Sequence, residues 1–220
     1  MSVLLCKDID PASLPTLLER YGLTVERVDD DAPIPGSFWQ PPEAGLVGDT
    51  LYIRNDTPVH SALHESCHYI CMDQRRRDNL HTDAGGTAIE ESGVCYLQIL
   101  LSDHLAEMGK ARMLSDMDEW GYSYRLGSSQ AWFEQDAEDA RSWLENHRLI
   151  VLVVSPRFAG GHGGQGQIRA HRPGVGGEQV ATGHAPKRIH EEQTVLHGRG
   201  PERRAFGLGA IRRQAVRQQV

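Results

Sequence analysis

The chain has 220 residues, 39% hydrophobic and 24% charged, with a formal net charge of −7. That is the composition of a soluble globular protein with room for one sizeable domain or two small ones, and no apolar run approaches the roughly 20 residues of a membrane span. The charge is unevenly placed, with 26 acidic against 12 basic side chains in residues 1–150 and 4 against 11 in residues 151–220.

The opening Met1-Ser2-Val3-Leu4-Leu5-Cys6-Lys7-Asp8 has no basic region followed by an apolar core of signal-peptide length, so a cytoplasmic protein with no membrane partner is expected. The cysteines agree with a reducing compartment. Cys67 and Cys71 stand one helical turn apart and Cys95 falls in the next predicted helix, which reads as small buried thiols. A zinc cluster built on Cys67 and Cys71 would need a further paired set of cysteines, which the sequence lacks.

In chain order, Asp10-Pro11 opens a short helix through Leu14, Leu17 and Leu18 to Tyr21, closed by Gly22. Thr24-Val25-Glu26-Arg27-Val28 alternates as a strand does, and a proline-rich loop follows over residues 34–42. Ala44-Gly45-Leu46-Val47 and Thr50-Leu51-Tyr52-Ile53-Arg54 flank Gly48-Asp49, a hairpin turn. Residues 51–54 are a candidate sheet edge for holding an extended peptide by main-chain hydrogen bonds, or else an ordinary core strand.

Asp56-Thr57-Pro58 offers a capping hydroxyl and a proline suited to a first helical turn, so a helix is expected from near Pro58. It carries His64-Glu65-Ser66-Cys67-His68, the only H-E-x-x-H in the chain. Residues four apart on a helix stack about 6 Å from each other on one face, so His64 and His68 can point ring nitrogens at a single zinc ion. Glu65 then stands beside the metal, where a carboxylate can take the proton of a water activated by zinc and pass it to a leaving amine. Val59, Leu63, Ser66, Cys67 and Ile70 share one face, and His60, His64 and His68 form the stripe at its edge. The bland alternative is a pair of surface or satisfied core histidines.

Asp73-Gln74-Arg75-Arg76-Arg77-Asp78 reads as a solvated helix end, its arginines favouring the helix dipole, and three arginines flanked by acids imply no nucleic-acid partner. Residues 80–86 form a loop, and a second long helix starts at Thr87 or Ala88. Two histidines leave a zinc site incomplete, so this helix should supply a third ligand. Glu90 aligns with Val94, Leu97, Leu101 and Met108 inside the apolar stripe, and Glu91 with Cys95, Gln98 and Ser102 at its margin. A glutamate in an apolar face is costly unless paired or bound to metal, which favours Glu90, with Glu91 the alternative. Gly93 would let this helix approach a neighbour closely, and His104 reads as a satisfied core histidine.

A helix over residues 111–120 is stopped by Gly121, and a final helix capped by Ser128 or Ser129 carries Trp132, Phe133, Ala137, Ala140 and Trp143 to about His147. Tyr122, Tyr124 and His81 are candidate donors to the oxyanion formed in hydrolysis, each also readable as a packing residue. From about Val151 the chain has no Asp, Asn, Cys, Met, Trp or Tyr and is crowded with Gly, Arg, His and Gln. Three readings compete there: a basic arm, a His-rich metal-collecting tail, or sequence never selected to fold, such as an out-of-frame translation of a GC-rich gene.

The run from Ile34-Pro35-Gly36-Ser37-Phe38-Trp39 through Leu51-Tyr52-Ile53, Thr57-Pro58 and the H-E-x-x-H, then Glu90-Glu91-Ser92-Gly93, resembles the ImmA/IrrE-type zinc peptidases. The stretch from His64 to Trp143 is similar to a bacterial family with no assigned activity, and the resemblance as a whole covers residues 10–148. It implies a gluzincin-like α+β fold: a small antiparallel or mixed sheet packed on the motif helix and a second, glutamate-bearing helix, within a domain of residues 1–150. It further implies His64 and His68 as ligands of one Zn2+, Glu65 as general base, Glu90 as the downstream ligand, and a peptide or protein substrate. The sequence departs from the pattern in having no helix-turn-helix, and Val94 stands four residues after Glu90 where relatives carry Asp or Asn. The leading expectation is a zinc-dependent peptidase. Its alternative is a metal-stabilised binding or regulatory protein on the same scaffold, without turnover.

Overall fold

The computed structural model describes residues 2–150; the basic stretch 151–220, with its three readings, lies outside the described residues. The architecture is α+β, a three-stranded mixed sheet with seven α-helices among the described residues. Helix α1 (Ser13–Glu19) is followed by strands β1 (Thr24–Arg27), β2 (Gly45–Val47) and β3 (Thr50–Ile53), then α2 (Val59–Cys71) and the short α3 (Gln74–Arg77). The rest is helical: α4 (Ala88–Ser102), α5 (Gly109–Trp120), α6 (Ser129–Gln135) and α7 (Glu138–Asn146). No helix of the described residues is long and apolar enough to cross a membrane.

The expected hairpin forms, with Gly48 taking the positive φ of its turn, and it pairs Leu46 with Leu51. Strand β3 is nevertheless central, because β1 lies parallel to it on the other side with Val25 opposite Leu51. Residues 51–54 are therefore not a sheet edge. A further chain segment covers the outer side of β2: Val47 bridges His81, Gly48 N–H donates to Leu80 O at 2.9 Å and Thr82 N–H donates to Leu46 O at 3.0 Å.

Helix α2 starts where the proline predicts, but a different group satisfies its first N–H. The Thr57 hydroxyl oxygen accepts from Arg54 N–H at 2.9 Å, and Val59 N–H donates to Leu4 O at 2.9 Å, so the N-terminal segment caps the helix. Every residue of α2 from Val59 to Ile70 is buried, which replaces the expected one-sided burial. Sheet strands β2 and β3, α4 and α5 all pack against it.

Of the three arginines after α2, Arg75 is exposed as expected, whereas Arg76 and Arg77 are structural rather than solvated. Arg77 donates to the α2 C-terminal carbonyls of Tyr69 at 2.9 Å and Ile70 at 3.1 Å, and its guanidinium lies 4.4 Å over the Tyr69 ring. Helix α4 is capped by Thr87, whose hydroxyl accepts from Glu90 N–H at 3.3 Å. Gly93 does admit a close neighbour, since a Cβ there would sit 2.8 Å from Trp143 Cε3 of α7. The single final helix expected from the sequence is two, α6 and α7, parted at Asp136 and Ala137; the Asp136 carboxylate is drawn into an ion pair with Arg125. His104 is exposed beyond the end of α4 and is not a core residue.

Candidate metal centre

Helices α2 and α4 are packed face to face, which brings two imidazoles and one carboxylate together. His64 Nε2 and His68 Nε2 lie 3.2 Å apart. Glu91 bridges them, with Oε1 3.3 Å from His64 Nε2 and Oε2 3.3 Å from His68 Nε2. This is the one His/Cys/Asp/Glu group with metal-ligand spacing among the described residues, and neither His60 nor any cysteine belongs to it.

The favoured third ligand, Glu90, is not in this group. Its burial is as expected, but the compensation is an ion pair: Arg76 Nη1 donates to Glu90 Oε1 at 2.7 Å and Arg76 Nη2 donates to Ala84 O at 2.8 Å. A buried carboxylate needs a partner, and here the partner is a guanidinium from α3. Glu91, one residue on and turned about 100° round the helix, faces the histidines instead. Its side chain is 26% exposed while those of the two histidines are 8% and 10%, so the group opens to solvent on the glutamate side.

Gln98, two turns after Glu91, holds His64 from behind, with its side-chain oxygen 2.6 Å from His64 Nδ1. The Cys95 thiol also lies within hydrogen-bonding reach of His64, and Tyr122 sets its ring edge-on to that imidazole at 6.1 Å between centroids. Of the three candidate oxyanion donors, Tyr122 alone is placed against the centre. Tyr124 stacks on Trp132 at 4.5 Å, and His81 is an exposed residue bridged to Val47 with Nδ1 2.9 Å from the Thr82 hydroxyl.

Glu65 is buried, and no described residue hydrogen-bonds its carboxylate. Burial pushes that carboxyl up to about 8, with His64 opposing and Glu43, Glu91 and Asp83 adding repulsion. Glu43 lies just before β2, where Ala44 N–H donates to Ser61 Oγ one turn before Glu65, and Asp83 follows Thr82, whose N–H donates to Leu46 O of β2. Burial holds His68 down at about 4 against the attraction of Glu91, and the neighbouring His64 adds to the fall. For His64, burial also disfavours charge, but Tyr122, Cys95 and Glu91 outweigh it and raise the imidazole above its ordinary value. The two imidazoles are thus shifted in opposite directions, His64 up and His68 down.

The four cysteines are free. Burial pushes both Cys6 and Cys71 up to about 12, far from the thiolate that a metal would require.

Comparison with protein-family models, with curated proteins and with solved structures returned no match.

Proposed function

We propose that the chain is a zinc-dependent peptidase in which His64, His68 and Glu91 hold the ion and Glu65 moves the proton. The donor group carries this reading. One ligand atom from each of His64, His68 and Glu91 lies within 4.8 Å of the others, the two imidazole nitrogens being 3.2 Å apart and each facing its own Glu91 oxygen at 3.3 Å, a spacing that one ion with ligand bonds of about 2.0–2.1 Å can draw together. Two imidazoles and one carboxylate make the donor set of a catalytic zinc, with three protein ligands and a fourth position left for solvent or substrate. The ion, when bound, supplies Lewis acidity at a carbonyl oxygen and makes water a nucleophile near neutral pH.

Glu65 supports the reading independently. Its side chain is buried, its carboxyl is held well above the usual carboxylate range, and it stands beside a cluster of ligand-type side chains, which is where function is expected. In peptide hydrolysis it takes a proton from the attacking water as the C–O bond forms, then gives that proton to the amide nitrogen as the C–N bond breaks. Tyr122 hydrogen-bonds Gln98 behind His64 and sets its ring edge-on to that imidazole, so we assign it to holding His64 rather than to the oxyanion.

The test uses the full chain, its metal content and its cleavage of an unfolded protein such as casein. Wild type should hold about one zinc per chain and cleave, and Glu65→Gln should keep the zinc and lose cleavage. Equal cleavage by Glu65→Gln removes the role given to Glu65, and zinc without cleavage in the wild type leaves the metal-stabilised binding protein.

A further inference from the structure

Gln98 is completely buried and its amide is engaged from three directions. The side-chain oxygen lies 2.6 Å from His64 Nδ1 on α2, and Nε2 lies 3.6 Å from Met113 Sδ on α5. The third contact is a hydrogen bond between Gln98 and the Tyr122 side chain. A thioether sulfur accepts and cannot donate, so the NH2 end of the amide belongs against Met113 and the oxygen end against His64. An amide oxygen also only accepts, and two lone pairs facing each other at 2.6 Å would repel, so His64 Nδ1 carries the hydrogen. When the ring is neutral it has one N–H, so Nε2 keeps a lone pair on the side of His68 and Glu91 that an ion can take, whereas donation from Nε2 to Glu91 belongs to the doubly protonated ring. The Cys95 thiol beside His64 does not change which nitrogen bears the hydrogen, because the short contact to Gln98 already requires it.

We infer that Gln98 is the positioning residue of the centre: its neutral amide, kept the right way round by Met113, fixes His64 as the Nδ1–H tautomer and aims Nε2 at the ion. The consequence for metal binding rests on the zinc reading above, whereas the tautomer does not. A neutral acceptor also suits this place. Glu91 and Glu65 are at the centre, and Glu43 and Asp83 stand close enough to repel Glu65. A carboxylate behind His64 would add one more negative charge to that set.

Two measurements on the full chain decide it. In the metal-free protein, long-range 1H–15N correlation spectra in alkaline buffer read the tautomer of each neutral histidine. His64 should be Nδ1–H in the wild type and revert to the commoner Nε2–H in Gln98→Leu. Zinc affinity, by competition with a chelator, should fall about 10- to 100-fold in Gln98→Leu and be recovered in Gln98→Glu, whose carboxylate accepts the same hydrogen. Wild-type His64 in the Nε2–H form overturns the inference, as does a Gln98→Leu variant with unchanged tautomer and affinity. Should Gln98→Leu not fold, the wild-type spectrum and Gln98→Glu still decide. A wild type that binds no zinc removes the peptidase reading and leaves the tautomer result standing on its own.

Discussion

Arg76 Nη1 lies 2.7 Å from Glu90 Oε1, and this ion pair separates two adjacent glutamates of α4 into different tasks. Glu90 ties α3 to α4, and Glu91 joins His64 and His68 in the group with metal-ligand spacing. Glu91→Ala should therefore abolish zinc binding while leaving the fold intact. Glu90→Ala should keep the zinc and cost stability, roughly 1–3 kcal/mol, because Arg76 is left one-third exposed rather than sealed in. Metal analysis beside urea unfolding of both variants checks the pair of outcomes.

Arg77 closes α2 through the carbonyls of Tyr69 and Ile70 and covers the Tyr69 ring. Arg77→Ala should lower stability by about 1–2 kcal/mol. Arg75, which makes neither contact, serves as the comparison: Arg75→Ala should stay within about 0.5 kcal/mol of wild type. Equal effects in thermal unfolding would contradict the role given to Arg77.

Gly93 brings α4 against α7 at Trp143. Adding a methyl group there gains helix propensity of about 1 kcal/mol but drives the new Cβ to 2.8 Å from the indole. Trp143 is half-buried and has some freedom to yield, so Gly93→Ala should be destabilised by only about 1 kcal/mol net and should change the tryptophan fluorescence.

Burial raises the Cys6 and Cys71 thiols from about 9 in the unfolded chain to about 12. Because the folded state holds these protons more tightly, the associated stability is fully present below pH 9 and is lost as pH rises towards 12. The protein should thus weaken in alkali, and Cys6→Ala should flatten that part of the pH profile. At neutral pH, thiol reagents should label the native chain slowly and all four cysteines rapidly after denaturation.

Local grammar was enough to locate the motif helix, the Gly48 turn, the starts of α4 and α6 to within a residue and the Gly121 stop, because each depends on residues close in sequence. The partner of Glu90 was not legible. Burial of that side chain follows from its stripe, but whether a metal or a guanidinium compensates it depends on where α3 folds back, a tertiary matter. The spacing rule identified Glu91 only as the alternative, since a position at the margin of an apolar face is also where a glutamate meets water. Strand β3 misled for a related reason: pairing with β1 is a parallel contact across the whole proline-rich loop, and no adjacent residues announce it. Gln98 had no signal beyond its alignment with Glu91, though an amide inside an otherwise apolar stretch invites the question of what it is bonded to.

The main-chain groups of Leu46 and Gly48 that point away from the hairpin are already spoken for by Leu80 and Thr82. A guest polypeptide seeking to lengthen the sheet beside α2 would have to peel that short strap from its seat, and Asp83, which follows it directly, would travel with it. Asp83 is one of the carboxylates whose charge bears on Glu65, so the seat of the strap also sets how near that charge stands.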